Sequence, residues 1–317
     1  MSMILQLVVI DSQLIAPGVR ELTLARATRT ALPRFTPGSH VRIAIPDGTT
    51  RCYSLVTEVW PPDQSEYRLA VRQQEISNGG SQFMHGLSPG DSLQVSDPRN
   101  DFHLVSESKC SVLLAGGIGV TPLMSMAAQL KVQGAEYELH YAVRSRDAAA
   151  FAVELQRRHG DRMFLHVDES LTAINIETVL ADASPDAHIY VCGPKGMIDV
   201  TTRVAKALGF HPDNVRYELF ASDARRREDQ SFDVELQRTN RSFTVRPDQT
   251  ILQVLRAQGL NLLFDCERGD CGLCRVVVLE GTPDHRDVVL SDVERDAGNV
   301  MQICVSRSHG ARLVLDL

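Results

Sequence analysis

The sequence predicts a multidomain protein in which an antiparallel β-barrel is followed by a doubly wound α/β domain and then by a small α+β domain. Three observations support this fold class. Short alternating strands fill the first hundred residues, strands and helices alternate from Cys110 onward, and four cysteines fall within the last 52 residues. The length of 317 residues itself favours two or three domains. We place them at residues 1–104, 105–224 and 231–317.

Composition and charge exclude several classes of protein. Hydrophobic residues make up 43% of the chain and charged residues 23%, which is typical of a globular protein and not of a disordered or fibrous one. The net charge of −7 argues against a general nucleic-acid binder. The longest apolar stretch, residues 112–128, contains glycines, a proline and polar residues, and it is too short to span a membrane. No secretory signal is visible, so we expect a cytoplasmic protein. We also expect a monomer.

The barrel is predicted from short strands separated by turn residues, at positions 4–10, 19–25, 40–45, 51–56 and 67–72. The fourth of these strands carries Arg51, Tyr53 and Ser54. Alternation along the strand places Arg51 and Tyr53 on one face and Ser54 on the other. An arginine can bind a phosphate through two hydrogen bonds. An ordinary strand is the alternative interpretation of these residues taken alone.

The α/β domain begins with a buried strand that runs from Cys110 into the sequence GGIG at 116–119, and a helix is predicted to start at Thr121 and Pro122. A glycine-rich turn of this kind lets a pyrophosphate approach backbone amides. Further strands at 138–143, 164–170 and 188–193 predict a parallel sheet with its ligand at the carboxyl ends of the strands. For GGIG alone, a plain turn is the alternative.

The cysteines of the third domain are spaced C-x4-C-x2-C-x29-C, at Cys266, Cys271, Cys274 and Cys304. This is the plant-type ligand pattern for a [2Fe–2S] cluster. Gly269 and Gly272 supply the φ freedom that a tight loop requires. A structural zinc site is the alternative, although the four-residue gap is awkward around one tetrahedral ion. Strands at 232–237, 242–247, 275–281 and 311–317 and a helix at 250–258 complete the domain.

Two charged segments flank these elements. Residues 222–230 are almost entirely polar, which indicates a linker between domains, with a solvated helix face as the alternative. Within the third domain an acidic excess could dock a basic patch on another protein, and a solvated surface explains it equally well. Its members are Asp284, Asp287, Asp292, Glu294 and Asp296.

The motifs GGIGVTP and YVCGPKGM resemble the NAD(P)-binding half of the ferredoxin–NADP reductase superfamily, and R-C-Y-S at 51–54 resembles its flavin signature. For the flavin, the resemblance implies that Arg51 binds the phosphate, Tyr53 covers the ring and Ser54 reaches N5. For the nucleotide, it implies a pyrophosphate site formed by Gly116, Gly117, Gly119, Thr121 and Pro122. It also implies that Cys192, Gly193 and Pro194 approach the nicotinamide. A small buried core residue is the alternative for Cys192.

The segment SNGGSQFMHGL at 77–87 is expected to be the second flavin-phosphate element, with Gly79, Gly80 and Ser81 as binding residues. The superfamily generally has arginine just before the two glycines, whereas this sequence has Asn78. One phosphate-binding charge is therefore missing. His85 is similar to the histidine of this motif, and a role on the helix surface is the alternative.

The domain order as a whole resembles the phthalate dioxygenase reductase family, including the reductases of vanillate demethylase-type oxygenases. The resemblance implies FMN, NADH and a [2Fe–2S] cluster, with electrons passing in that direction to a Rieske-type terminal oxygenase. Glu218 and Phe220 of YELFAS match the family's segment at the flavin. Asp168, at a predicted strand end, favours NADH because it would repel a 2′-phosphate, whereas Arg144 and Arg146 are evidence for NADPH.

Two other functions fit parts of the sequence. A flavin reductase that serves a cytochrome P450, or that releases reduced flavin, would share every motif. A non-enzymatic zinc-binding interaction protein would share only the cysteines.

Overall fold

The computed structural model describes residues 4–46, 48–57, 64–74, 79–105, 108, 110–170, 172–220, 228–269 and 271–317. The chain divides into two compact units, Met1–Glu218 and Leu219–Leu317. The predicted barrel and residues 105–218 of the predicted α/β domain fall in the first unit, and the cysteine-rich domain falls in the second. No helix among the described residues is long and apolar enough to cross a membrane.

The first sheet of the N-terminal unit has six strands: β1 (Ile4–Ala16), β2 (Val19–Ala25), β3 (His40–Ala44), β4 (Thr50–Ser54), β5 (Glu66–Arg72) and β6 (Ser92–Ser96). Their order is β4-β3-β6-β1-β2-β5, and neighbours pair antiparallel. A bridge between Val56 and Arg68 joins the two ends and closes the predicted barrel. Helix α1 (Gly80–Gly86) lies between β5 and β6 in the chain. The sequence did not predict β6, because SLQVS offers only two apolar residues.

The second sheet contains β7 (Cys110–Gly116), β8 (Glu136–Val143), β9 (Met163–Val167), β10 (His188–Gly193) and β11 (Val215–Leu219). Its helices are α2 (Val120–Gln133), α3 (Ala152–His159), α4 (Ile176–Ala181) and α5 (Lys195–Ala207). The strand order β11-β10-β7-β8-β9 is that of a doubly wound fold. Since the order reverses between β7 and β10, a crevice is expected at the carboxyl ends of these two strands.

Helix α2 starts earlier than predicted. It begins at Val120, with no side-chain cap, because a short 3-10 turn at Gly117–Gly119 leads directly into it. Pro122 lies in the first turn of the helix, where its missing N–H costs no hydrogen bond. The prediction that Thr121 precedes the helix is therefore wrong.

The C-terminal unit has a five-stranded sheet of order β13-β12-β18-β14-β16 and a two-stranded sheet of β15 and β17. The strands are β12 (Phe232–Leu236), β13 (Arg241–Val245), β14 (Arg275–Glu280), β15 (Pro283–Asp284), β16 (Val300–Gln302), β17 (Arg307–Ser308) and β18 (Arg312–Leu315). Helices α6 (Ile251–Ala257) and α7 (Asp292–Ala297) both begin at capping boxes, which Thr250 and Ser291 form. The predicted α+β character is confirmed.

The linker predicted at 222–230 is shorter than expected. Residues 221–227 lie outside the described residues, but Asp229 is held inside the C-terminal unit. Its carboxylate accepts two hydrogen bonds from Arg286, at 2.7 and 2.9 Å, and both side chains are only 4% exposed. Arg307 donates to the carbonyl of Gln230 at 3.0 Å. The charge at Asp229 thus belongs to a buried ion network and not to a solvated linker.

The acidic surface of this unit is likewise smaller than predicted. Asp284 is buried and accepts a hydrogen bond from Arg286 at 2.8 Å. Asp287 is fully buried and accepts from the amides of Val289 and Leu290. Two of the five acidic residues therefore stabilise the fold and are not available to a docking protein.

Candidate functional site

The glycine-rich turn after β7 lies directly against the end of β10. A Cβ at Gly116 would come within 2.6 Å of Pro194 Cδ and 3.1 Å of Gly193 Cα. A Cβ at Gly119 would come within 2.1 Å of the Cys192 carbonyl oxygen. Two motifs far apart in sequence therefore meet backbone to backbone, at the point where the strand order of the sheet reverses.

The residues of this turn have different surroundings. Gly117 has a φ of +56°, which favours glycine. Thr121 is buried, and its hydroxyl donates to the Ile118 carbonyl at 3.0 Å, so it stabilises the turn itself. Pro122 is buried as well. Contacts of these residues with a pyrophosphate stay a prediction.

Three residues predicted near the reacting atoms are placed as follows. Cys192 is fully buried at the end of β10, and its neighbour across the sheet is Ala115. Glu218 is buried on β11, which pairs with β10. Phe220 follows β11, is half-buried and belongs to the C-terminal unit. Burial of Cys192 is what a core residue shows, and its approach to a nicotinamide stays a prediction.

The residues predicted to select the nucleotide meet at one edge of the sheet. Asp168 follows β9, is exposed and donates its amide to the Val143 carbonyl at 2.9 Å. The next residue, Glu169, donates to the Arg144 carbonyl at 3.2 Å. An acidic and a basic side chain therefore leave adjacent strand ends. The two strand ends thus carry both the carboxylate of Asp168, which favours NADH, and the guanidinium of Arg144, which favours NADPH.

The barrel brings together the two segments predicted to bind flavin. Arg51 on β4 lies against the start of α1, because a Cβ at Gly80 would be 2.7 Å from Arg51 Cγ. The Arg51 guanidinium donates to Thr49 Oγ1 at 2.7 Å, and Gly79 has a φ of +84°. Ser81 Oγ accepts from the Gln74 amide at 3.1 Å. The arginine and the glycines of the two motifs are thus neighbours.

The other barrel residues are fixed by packing. Ser54 is buried, whereas Tyr53 packs partly buried against the barrel core, and this burial raises the pKa of its hydroxyl. His85 Nε2 hydrogen-bonds with the Val71 carbonyl at 2.8 Å, which ties α1 to β5. Asn78 lies outside the described residues.

Arg72 is a residue that the sequence reasoning missed. It ends β5, is exposed, and its Nη1 lies 3.5 Å from the position of a Cβ on Gly117. A barrel residue therefore carries a positive charge to the glycine-rich turn of the α/β sheet. One signal in the sequence could have identified it. Arg72 lies six residues before Asn78, the position at which the superfamily generally has an arginine.

The four cysteines of the C-terminal unit are brought together by the loop before β14 and the turn after β16. Hydrogen bonds with Cys266 and Cys274 raise the pKa of the Cys304 thiol, and a hydrogen bond with Cys266 raises that of Cys271. Cys271 is exposed and the other three are buried. No three His, Cys, Asp or Glu side chains of the described residues are arranged to hold a single metal ion.

The loop also has the backbone that a cluster site requires. Gly269 and Gly272 have φ values of +85° and +77°, so the predicted use of glycine is confirmed. A Cβ on Gly269 would be 2.7 Å from Val305 Cγ2. The amide of Arg268 donates to Cys266 Sγ at 3.3 Å, as suits a sulfur that carries negative charge. The three thiols of this loop and the Cys304 thiol of the turn after β16 fit a [2Fe–2S] cluster.

Two family models match the chain. Residues 234–309 match the 2Fe-2S iron-sulfur cluster binding domain, and residues 95–215 match the N-terminal domain of the dimethylamine monooxygenase subunit DmmA-like family. The first match excludes the zinc alternative for the cysteines.

Curated relatives cover nearly the whole chain. The carnitine monooxygenase reductase subunit of Acinetobacter baumannii is 36% identical over 96% of this chain and 95% of its own. The vanillate O-demethylase oxidoreductase of Acinetobacter baylyi is 36% identical over 96% of both chains. The heme-dependent oxidative N-demethylase beta subunit of Ectopseudomonas mendocina is 36% identical over 100% of both chains.

Solved structures give the same result. Phthalate dioxygenase reductase, described as a modular structure for electron transfer from pyridine nucleotides to [2Fe–2S], superposes with a TM-score of 0.82 and 33% identity over 99% of this chain and 98% of its own. An intact type IV self-sufficient cytochrome P450 monooxygenase superposes with a TM-score of 0.69 and 35% identity over 98% of this chain and 41% of its own.

These findings confirm the predicted fold class, the prediction of an oxidoreductase that supplies electrons to an oxygenase system, and its cofactors FMN, NADH and a [2Fe–2S] cluster. The chain belongs to the phthalate dioxygenase reductase family.

Proposed function

We propose that this chain is the NADH-dependent reductase of a two-component oxygenase of the Rieske type, and that it delivers electrons singly to that oxygenase through its C-terminal cluster. The observation that carries the proposal is that one chain contains three sites. Arg51 lies beside Gly80 in the barrel, the glycine turn after β7 lies against Gly193, and four cysteines come together in the C-terminal unit. When bound, FMN takes the electron pair of NADH as a hydride, and the cluster carries one electron at a time.

In this proposal the barrel residues hold the flavin. Arg51 binds the phosphate together with the backbone of Gly79 and Gly80 and the hydroxyl of Ser81. Tyr53 covers the ring and Ser54 lies at N5. The proximity of Arg51 to Gly80 supports this assignment, because one phosphate group could contact both.

The crevice between β7 and β10 receives the nucleotide. The turn of Gly116, Gly117, Gly119, Thr121 and Pro122 positions the pyrophosphate, and Arg72 adds a positive charge at this turn. Gly193 and Pro194 leave room for the nicotinamide beside Cys192. Glu218 and Phe220 complete the surroundings of the reacting rings, and Asp168 excludes a 2′-phosphate.

The cluster ligands are Cys266, Cys271, Cys274 and Cys304. This assignment predicts that Cys271→Ser in the full chain loses iron and acid-labile sulfide, whereas Cys52→Ser keeps both. The cluster-free variant should still oxidise NADH with ferricyanide as the acceptor but should no longer support oxygenase turnover. Full oxygenase turnover by a variant without its cluster would contradict the proposed electron path.

The flavin site has its own test. Arg51→Ala should weaken FMN binding by about 1.5–3 kcal/mol, because a hydrogen bond to a charged phosphate is lost. Asn78→Arg should tighten it, since the charge that the superfamily generally has is restored. Equilibrium titration of the flavin-free protein with FMN measures both, and an unchanged dissociation constant in Arg51→Ala would contradict the site.

A heme oxygenase is the second candidate acceptor. Two similarities favour it: the relative named heme-dependent oxidative N-demethylase beta subunit, and the cytochrome P450 monooxygenase whose chain includes a matching portion. Reconstitution of the purified reductase with a Rieske-type and with a heme oxygenase component discriminates between the two. The acceptor that restores substrate turnover at the lower reductase concentration identifies the class of partner.

The organisation of the chain is also proposed here. We assign a flavin barrel to residues 1–104, a nucleotide domain to 105–224 and a ferredoxin-type domain to 231–317, and we expect the protein to act as a cytoplasmic monomer. The separate sheets of the three segments support the assignment. Sedimentation analysis of the holoprotein measures the oligomeric state.

A further inference from the structure

Gln302 is a buried polar residue beside the cysteine loop. It ends β16, two residues before Cys304, and its side chain is fully buried. Across the sheet it pairs with Arg275, the residue that follows Cys274. A carboxamide in such a position requires hydrogen-bond partners, because an unpaired buried polar group is costly.

Its side chain contacts one of the cysteine sulfurs. The Cys274 thiol donates to Gln302 Oε1 at 3.4 Å. Gln302 Nε2 is buried and has no hydrogen-bond partner among the described residues. The amide group therefore has its acceptor satisfied and both of its donors unused.

The backbone holds Gln302 firmly at this place. Its carbonyl oxygen accepts from the amides of Val305 at 3.3 Å and Ser306 at 3.0 Å. The amide of Ile303 donates to the Cys274 carbonyl at 3.3 Å. The turn that carries Cys304 and the loop that carries Cys274 are thus joined through Gln302 and its neighbour.

The hydrogen bond must reverse once Cys274 ligates iron. A ligating thiolate has no proton, so its sulfur can only accept a hydrogen bond. Rotation of the carboxamide by about half a turn places Nε2 where Oε1 lies, and the oxygen and nitrogen positions of a glutamine are interchangeable in shape. The unused donor then faces the negatively charged sulfur.

We propose that the side-chain amide of Gln302 donates a hydrogen bond to Cys274 Sγ in the cluster-loaded protein and thereby raises the reduction potential of the [2Fe–2S] cluster. Reduction adds negative charge that is shared with the cysteine sulfurs, so a donor at this sulfur stabilises the reduced form more than the oxidised form. The inference rests on the proposed role of Cys274 as a ligand. Gln302 is a positioning residue that acts through that ligand.

Gln302→Leu in the full-length holoprotein tests the proposal. An EPR-monitored redox titration should give a more negative cluster midpoint than in the wild type, with the FMN midpoints, iron and sulfide contents unchanged. Gln302→Met, which is unbranched and also lacks a donor, should shift the midpoint in the same direction. Met301→Leu is the matched control, because its side chain leaves the same strand on the opposite face, and its midpoint should equal that of the wild type. Equal midpoints in the wild type and both Gln302 variants would overturn the proposal.

A measurement on the wild-type side chain does not depend on how the variants fold. Holoprotein labelled with 15N at the glutamine side-chain amides should show a weak 15N coupling to the reduced cluster in pulsed EPR. Absence of this coupling refutes the hydrogen bond. Cys274→Ser with an unaltered cluster would instead refute the ligand assignment, so the two failures are distinguishable.

Discussion

The carbonyl group of Cys192 occupies the space that a side chain on Gly119 would need. A Cβ there would lie 2.1 Å from the carbonyl oxygen and 2.9 Å from the Gly193 nitrogen. These are backbone atoms of β10, so no side-chain rotation can relieve the overlap. The close approach fixes the separation of the two strand ends between which the nucleotide is proposed to bind.

Gly119→Ala should therefore push these strand ends apart. We expect the free energy of unfolding to fall by about 1–3 kcal/mol, as for other overpacked sites, and the KM for NADH to rise. Denaturant unfolding and steady-state kinetics measure the two effects. Gly196→Ala is the matched control, because a Cβ there meets nothing within 4 Å and the residue is helical in α5. Equal stability of the two variants would contradict the close approach.

Asp168→Ser should weaken the preference for NADH. Removing the carboxylate ends its repulsion of a 2′-phosphate and leaves Arg144, at the adjacent strand end, to attract that group. We expect the ratio of kcat/KM for NADPH to that for NADH to rise by about tenfold, which corresponds to about 1.4 kcal/mol. Arg144→Ala should lower the same ratio. If neither variant changes this ratio, Asp168 and Arg144 do not select the nucleotide.

Asp229→Ala should destabilise the C-terminal unit. Arg286 would keep Asp284 but lose its two hydrogen bonds to Asp229, in a place where both partners are 4% exposed. Breaking a buried ion pair costs about 3–5 kcal/mol. Denaturant unfolding followed by the visible absorption of the cluster measures the loss. Arg238→Ala is the control, since its pair with Asp316 is exposed, and it should unfold like the wild type.

Acidification should destabilise the N-terminal unit through His159. Burial, aided by the charges of Lys131, Arg158 and Arg162, lowers the pKa of this histidine from 6.5 to about 4. The unfolded chain therefore binds more protons between these values, and the free energy of unfolding falls as the pH falls from 6.5 toward 4. Allowing for solvent screening, we expect a loss of about 1 kcal/mol between pH 6.5 and pH 5.

The variant His159→Gln isolates this contribution. It keeps a polar group near the Tyr137 hydroxyl, which lies 2.6 Å from His159 Nδ1, but it does not titrate. Its unfolding free energy should therefore depend less steeply on pH over the same range. Urea unfolding at pH 7 and pH 5 measures the difference, and parallel pH profiles in variant and wild type would show that His159 does not carry it.

Features that depend on local sequence were predictable. The strands of the barrel alternate apolar and polar residues, and GGIG and the cysteine spacing are short motifs whose chemistry follows from their residues. The capping box at Thr250 begins the predicted helix, whereas helix α7 was not predicted although its capping box at Ser291 is also a local signal. Strand β6 was missed because its five residues have too weak an alternation, and only pairing with β1 and β3 stabilises it.

Features that depend on residues far apart in the chain were decided by the tertiary structure. Asp229 reads as polar surface, yet its side chain is buried because Arg286, from a distant segment of the chain, satisfies its carboxylate. Arg72 reaches the glycine turn, and Gln302 reaches Cys274, only because separate strands place them there. The sequence by itself determined which chemical groups this reductase contains. Burial and the pairing of remote strands decided which of those groups face one another, because the cost of burying a polar or charged group depends on partners that no local pattern reveals.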